Sequence, residues 1–267
     1  MDEQSWLDVN VEKIFYRKVG TGTPVVLVHG FAEDGSIWDK QIDKLKNDFE
    51  LIVPDLPGSG KSTNGLLSSI DSYADFLKAL LDKEAIRSCI MIGHSMGGYI
   101  TLAFAEKYAG MLKGFGLIHS TAYADSEEKK TMRKKSIVLI QNYGATEFIK
   151  QSIPNLFSDH SKKNHPEMIK ELIHKYDNFN PVALVSYYEA MMQRPDRTNV
   201  LQDFKGPILL IHGEHDNAVP LAQSLQQSHI PGFCYIHILK NAGHMGMWEA
   251  PGVVTNFLTA FIKNAAL

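Results

Sequence analysis

Short runs of aliphatic and β-branched residues alternate with segments whose apolar positions recur every three or four residues. The β-rich runs fall at residues 14–19, 24–29, 50–54, 88–93, 112–119, 207–213 and 234–239, with a weaker one at 6–9. Several are apolar throughout, as in Val25-Val26-Leu27-Val28 and Ile208-Leu209-Leu210-Ile211. Unbroken apolar runs suit strands buried on both faces of a parallel sheet. Between them, Tyr73, Phe76, Leu77, Leu80 and Leu81 keep helical spacing, and residues 96–108 and 251–265 read as further helices, the last opening on Pro251. Alternating β and α elements predict an α/β fold with helices on both sheet faces. One stretch departs from the rhythm. Residues 123–197 hold no strand pattern and show helical periodicity near 127–142, 146–151, 166–176 and 181–193. An insertion of that length beside the carboxyl ends of strands is placed to act as a lid. The predicted organisation is therefore a core of 1–122 and 198–267 with a helical cap of 123–197.

Composition narrows the function. The chain has 267 residues, 44% apolar and 21% charged, which is enough for a sizeable core. A net charge of −3 offers no basic footprint for nucleic acid or anionic lipid. The two cysteines, Cys89 and Cys234, lie in apolar runs and read as buried reduced thiols, too few for a disulfide framework. The start, Met1-Asp2-Glu3-Gln4-Ser5, is acidic and shows no leader pattern, and no window approaches a membrane span. The expected setting is cytoplasmic, with a small-molecule substrate as partner and neither nucleic acid nor membrane.

The sharpest local signal is Gly93-His94-Ser95-Met96-Gly97-Gly98, which fits G-x-S-x-G between a strand pattern and a helix pattern. A strand that turns at once into a helix strains the serine, and side chains at positions 93 and 97 would crowd it. The serine oxygen then projects at a helix N-terminus, where developing negative charge is favoured. A serine hydroxyl needs a base, and the base an orienting acid. Gly213–Pro220 and Asn241–Met245 each follow a predicted strand and supply Asp216 and His244. Both fall where open α/β sheets place their ligands, in the order nucleophile, acid, base.

On these motifs the sequence resembles the α/β-hydrolase superfamily over nearly its whole length. His29-Gly30-Phe31 resembles the oxyanion loop. Asp55-Leu56-Pro57-Gly58-Ser59-Gly60-Lys61-Ser62 resembles the D-x-x-G-x-G-x-S loop, 93–98 the nucleophile elbow, 213–220 the acid loop, and Gly243-His244 with Glu249 and Pro251 the histidine loop. The resemblance implies an eight-stranded, mostly parallel sheet with a helical cap after the sixth strand. It also implies Ser95, Asp216 and His244 as a catalytic triad, with the amides of Phe31 and Met96 as an oxyanion hole. It calls for no cofactor and no metal.

Other patterns are weaker. Gly60-Lys61-Ser62 suggests a phosphate loop, but Asp55 stands where that pattern needs its first glycine. The eleven histidines contain no H-E-x-x-H, and those of the cap read as surface residues. His29 and His94 are expected to support loop geometry, and Glu249 to make structural hydrogen bonds. His119 is left open between pocket and support. Glu214 is the alternative acid. Tyr143, Phe148, Phe157, Met191 and Met192 are candidate pocket residues. Arg194 and Arg197 are expected to be salt-bridged or solvated rather than to meet a substrate carboxylate. Lys129, Lys130, Arg133, Lys134 and Lys135, balanced by Glu127 and Glu128, read as a solvated helix face.

The expected activity is serine hydrolysis of a small to medium carboxylic ester through an acyl-enzyme, as in a carboxylesterase. The alternatives are a carbon–carbon hydrolase of vinylogous diketones and, in another class, a non-catalytic ligand receptor on the same fold.

Overall fold

The structure, a computed structural model, describes residues 3–9, 12–62 and 66–267; the acidic start at Met1–Asp2 lies outside them. Each β-rich run forms a strand. These are β1 (Glu3–Val9), β2 (Glu12–Val19), β3 (Thr23–Val28), β4 (Phe49–Pro54), β5 (Cys89–His94), β6 (Leu112–Ile118), β7 (Ile208–Gly213) and β8 (Cys234–Leu239). They make one eight-stranded sheet in the order β1-β2-β4-β3-β5-β6-β7-β8. β1 pairs antiparallel with β2, and β2 antiparallel with β4. From β4 to β8 every pairing is parallel. All six residues of β5 and all six of β7 are buried, although successive side chains point to opposite faces, so both faces are covered. The edge strand β8 keeps Ile236 and Ile238 exposed.

The helices are α1 (Asp39–Leu45), α2 (Ile70–Lys83), α3 (Met96–Tyr108), α4 (Glu127–Ser152), α5 (Asp159–Asn164), α6 (Pro166–Tyr176), α7 (Pro181–Gln193), α8 (Thr198–Asp203), α9 (Leu221–Ser228), α10 (Gly246–Glu249) and α11 (Pro251–Ala266). α2 packs with α3, and α1 with α10 and α11, as two groups against the sheet. α2 buries Tyr73, Phe76, Leu77, Leu80 and Leu81, the residues its apolar spacing selects, and Ser69 caps its N-terminus. The short helices α1, α5, α8, α9 and α10 escape the sequence reading, because four to eight residues hold too little periodicity to stand out.

Between β6 and β7 the chain makes α4 to α8 and no strand. Its neck is closed by a hydrogen bond from Arg197 N to Ala122 O at 2.8 Å. α4 merges two expected helices across a break at Gly144 (φ 82°, ψ 173°), a left-handed φ that glycine adopts without steric penalty. Within the insertion, Tyr143 is 66% exposed, contrary to its reading as a pocket residue. Phe157 is buried in the hydrophobic core. Both cysteines are free, but only Cys89 is fully buried; Cys234 is half-buried because it opens the exposed edge strand.

Candidate active site

Ser95 stands between β5 and α3 with φ 50° and ψ −115°. A non-glycine residue there is strained by about 1–3 kcal/mol, so its surroundings must hold it. Ser95 N donates to Ile118 O at 2.9 Å, and Ser120 Oγ donates to Ser95 O at 2.7 Å. Two glycines make room for the turn. A Cβ at position 93 would sit 2.2 Å from Gly97 O, and one at position 97 would sit 2.4 Å from Val28 O. Ser95 lines a cavity of about 480 Å³ walled by core residues and by α4 and α7. Among the described residues, neither the Phe31 nor the Met96 amide N–H donates to a protein acceptor, and Met96 opens α3. Two free donors and a helix N-terminus suit a developing oxyanion.

His244 lines the same cavity. Its Nδ1 lies 3.0 and 2.8 Å from the two Asp216 oxygens. Asp216 Oδ1 also accepts from Ala218 N and Val219 N, both at 2.8 Å. Burial opposes ionisation of Asp216, yet the imidazoles of His244 and His119 hold its carboxyl well below the ordinary range. That geometry leaves His244 Nε2 free to take a proton. Ser95 Oγ has no hydrogen bond among the described residues, and contacts of this kind tighten when substrate binds. Glu214 plays another part: its Oε2 accepts from Asn241 N at 3.1 Å.

Supporting residues surround this pair. His119 is fully buried beneath Asp216, away from the cavity; its Nδ1 donates to Asp216 Oδ2 at 3.1 Å and its Nε2 accepts from Gly246 N at 3.2 Å. Burial, only partly offset by Asp216, pushes its pKa down and keeps it neutral. His119, Asp216 and His244 lie close together, but His119 Nε2 already accepts from Gly246 N, and the Asp216 carboxylate faces N–H donors. His94 donates from Nε2 to His244 O at 3.0 Å, and its Nδ1 lies 2.9 Å from Glu33 Oε2. Burial resists charge on His94, but Glu33 raises its pKa; burial likewise resists charge on Glu33, but His94 lowers its pKa. In this buried pair each group favours the charged form of the other. Glu33 also accepts from Gly30 N at 2.7 Å, so one pair spans the Phe31 loop and the His244 loop. Glu249 Oε1 accepts from Gly243 N at 2.7 Å, and its Oε2 accepts from the hydroxyls of Ser158 and Ser161.

The structure brings Ser95, His244, Phe31 and Met191 to one cavity and places Phe148 in a smaller one of about 90 Å³ beside it. Asp216 stands behind His244, and Met192 lines neither space. Arg194 pairs with Asp125, and Arg197 with Asp71 and Glu106. Two sites were missed in the sequence. Glu33 carries no motif of its own. Lys129 and Arg133 are not part of a solvated face, since both line the cavity. Helical spacing held the signal: Lys129, Met132, Arg133 and Ser136 stand at i, i+3, i+4 and i+7.

A model of the Alpha/beta hydrolase family matches residues 25–256, and the chain belongs to that family. Among relatives, the chain is 27% identical over 249 residues to the dihydrolipoyllysine-residue acetyltransferase component of the acetoin cleaving system of Pseudomonas putida. The match covers 91% of this chain but only 64% of that protein, so the chain spans less than two thirds of it. Lipase 3 of Moraxella sp. (strain TA144) is 24% identical over 255 residues, covering 90% of this chain and 78% of the lipase. In structure, a thermophilic esterase from Thermogutta terrifontis, solved with malate bound, superposes with a TM-score of 0.91 at 28% identity, covering all of both chains. Among the described residues, no helix is long and apolar enough to cross a membrane.

Proposed function

We propose that this hydrolase cleaves small to medium carboxylic esters with Ser95 as nucleophile. The observation that carries the reading is the shared opening of strained Ser95 and the Asp216-oriented His244 onto one cavity, beside two unpartnered amides. Ser95 Oγ attacks the ester carbonyl as His244 Nε2 takes its proton. The Phe31 and Met96 amides receive the oxyanion. As the tetrahedral intermediate collapses, the imidazolium gives its proton to the departing alcohol. Water then attacks the acyl-enzyme by the same route, and Asp216 stabilises the imidazolium in both halves. Residues 123–197 act as a lid that excludes bulk water. Lipase and esterase relatives favour ester chemistry.

The testing experiment compares kcat/KM for p-nitrophenyl butyrate and for a vinylogous diketone. The ester is expected to turn over and the diketone not. A diketone preference of several orders of magnitude would replace the ester reading with carbon–carbon hydrolysis. Binding without turnover of either would favour a receptor.

A further inference from the structure

The cavity wall opposite the sheet carries an unbalanced group of cations. Arg133 and Arg194 converge on one carboxylate, that of Asp125. Arg133 reaches it through Nε at 2.6 Å and Nη2 at 3.4 Å, and Arg194 through Nη1 at 2.9 Å. The Asp125 side chain is fully buried, Arg194 is 3% exposed and Arg133 12% exposed. Lys129 adds a third cation, and its Nζ donates to Ala218 O at 2.9 Å. Of the other acids at this cavity, Glu33 is matched by His94 and Glu128 is exposed to solvent. Buried positive charge therefore exceeds buried negative charge along the wall.

Both terminal nitrogens of Arg194 are engaged. Besides Asp125 it holds Met191 O at 2.8 Å and Tyr123 O at 3.0 Å, and it lies 3.8 Å above the Tyr99 ring. Arg133 is different, since its Nη1 makes no hydrogen bond among the described residues. Tyr99, 3% exposed, lines the same cavity, and its hydroxyl is likewise unpartnered among them. Burial acts to raise the Tyr99 pKa, but Arg194, Lys129 and Arg133 bring it below its ordinary value, which marks a positive potential at the phenol. An aromatic path joins this wall to the oxyanion donors: Tyr188 stacks on Phe31 at 4.2 Å and lies 5.4 Å beneath the Arg133 guanidinium. A guanidinium removed from water, with a nitrogen free and too little counter-charge, favours an anion, and its planar fork favours a carboxylate.

We propose that Arg133, with Lys129 and the Tyr99 hydroxyl, forms a subsite for a free carboxylate on the acyl chain of the substrate. The preferred substrates are then half-esters of short dicarboxylic acids. Their chain lies along Phe31 and Tyr188 while their ester carbonyl meets Ser95. Hydrolysis adds water across the acyl–oxygen bond and releases the alcohol and a dicarboxylate. This rests on the ester reading and narrows it.

The test compares monomethyl glutarate with methyl pentanoate, a neutral ester of the same chain length, by following the acid released. The intact protein is expected to favour the half-ester by about tenfold or more in kcat/KM. Arg133→Met is expected to erase that preference, lowering kcat/KM at least tenfold more for the half-ester than for methyl pentanoate. Arg133→Lys, which keeps the charge, is expected to retain part of it. Equal losses for both esters in Arg133→Met would give Arg133 a structural role and overturn the subsite, as would a wild-type preference for methyl pentanoate. Calorimetric titration of Ser95→Ala with glutarate and with pentanoate reads the subsite without turnover. Tighter glutarate binding that Arg133→Met removes would support the subsite even if neither ester were cleaved, a result that would sink the ester reading alone. Equal binding of the two acids would overturn the subsite.

Discussion

At the scale of single residues, Asp216 is held by four donors: two backbone amides and two imidazoles. Asp216→Asn replaces an acceptor-only group with an amide that presents a donor toward one of them. It favours the wrong His244 tautomer and leaves the imidazolium unstabilised. A fall in kcat on the order of 10³-fold or more is expected, with the fold retained, and His244→Ala should match it. Glu214→Gln should stay within a few-fold, because its carboxylate meets a loop amide and the exposed His215 ring rather than His244. Steady-state kinetics on the three variants decides this; a large loss in Glu214→Gln with little in Asp216→Asn would move the acid role to Glu214. Ser95, Asp216 and His244 are legible in sequence because each sits in a short pattern that follows a strand. Glu33 and Arg133 are not. Glu33 meets a histidine 61 residues away, and Arg133 faces inward only because its helix is folded over the sheet.

At the scale of elements, β7 carries His212 into the sheet, fully buried, and neither ring nitrogen has a protein hydrogen-bond partner among the described residues. Burial drives its pKa down to about 3. The unfolded chain then takes up a proton near the ordinary imidazole pKa of about 6.5, well before the folded one does. Stability from this group is full above that value and falls as pH drops through the window from about 6.5 to 3. His212→Leu removes the effect. Its stability relative to wild type should therefore improve by about 2 kcal/mol on going from pH 8 to pH 5, read from urea unfolding at both pH values. Parallel changes in the two proteins would contradict it. The Glu33–His94 pair has the opposite alkaline sign: the raised His94 pKa gives stability that is full below about 6.5 and fades as pH rises through the folded value. Strands were the most legible elements, since a parallel sheet buried on both faces demands unbroken apolar runs such as 25–28 and 208–211. α4 was the least legible. Its charged residues crowd one stretch of sequence, and only its packing against α7 decides which of them turn inward.

At the scale of the whole molecule, the insertion between β6 and β7 lines the Ser95 cavity and is fastened at its neck and at its middle. Arg197 closes the neck on Ala122, and Glu249 joins the His244 loop to Ser158 and Ser161. A space of about 480 Å³ lined in this way admits an acyl chain of limited length. A p-nitrophenyl ester series should peak at short to medium chains, and triglyceride emulsions of long-chain acids should give little activity. Rates that keep rising to long chains, with activation at the emulsion surface, would contradict this limit. The central claim is that Ser95 is the nucleophile. Its most direct test is labelling with a fluorophosphonate probe, read by intact mass and peptide mapping. One adduct is expected, on Ser95, and none in Ser95→Ala. Labelling of another serine, or labelling that survives Ser95→Ala, would contradict the account.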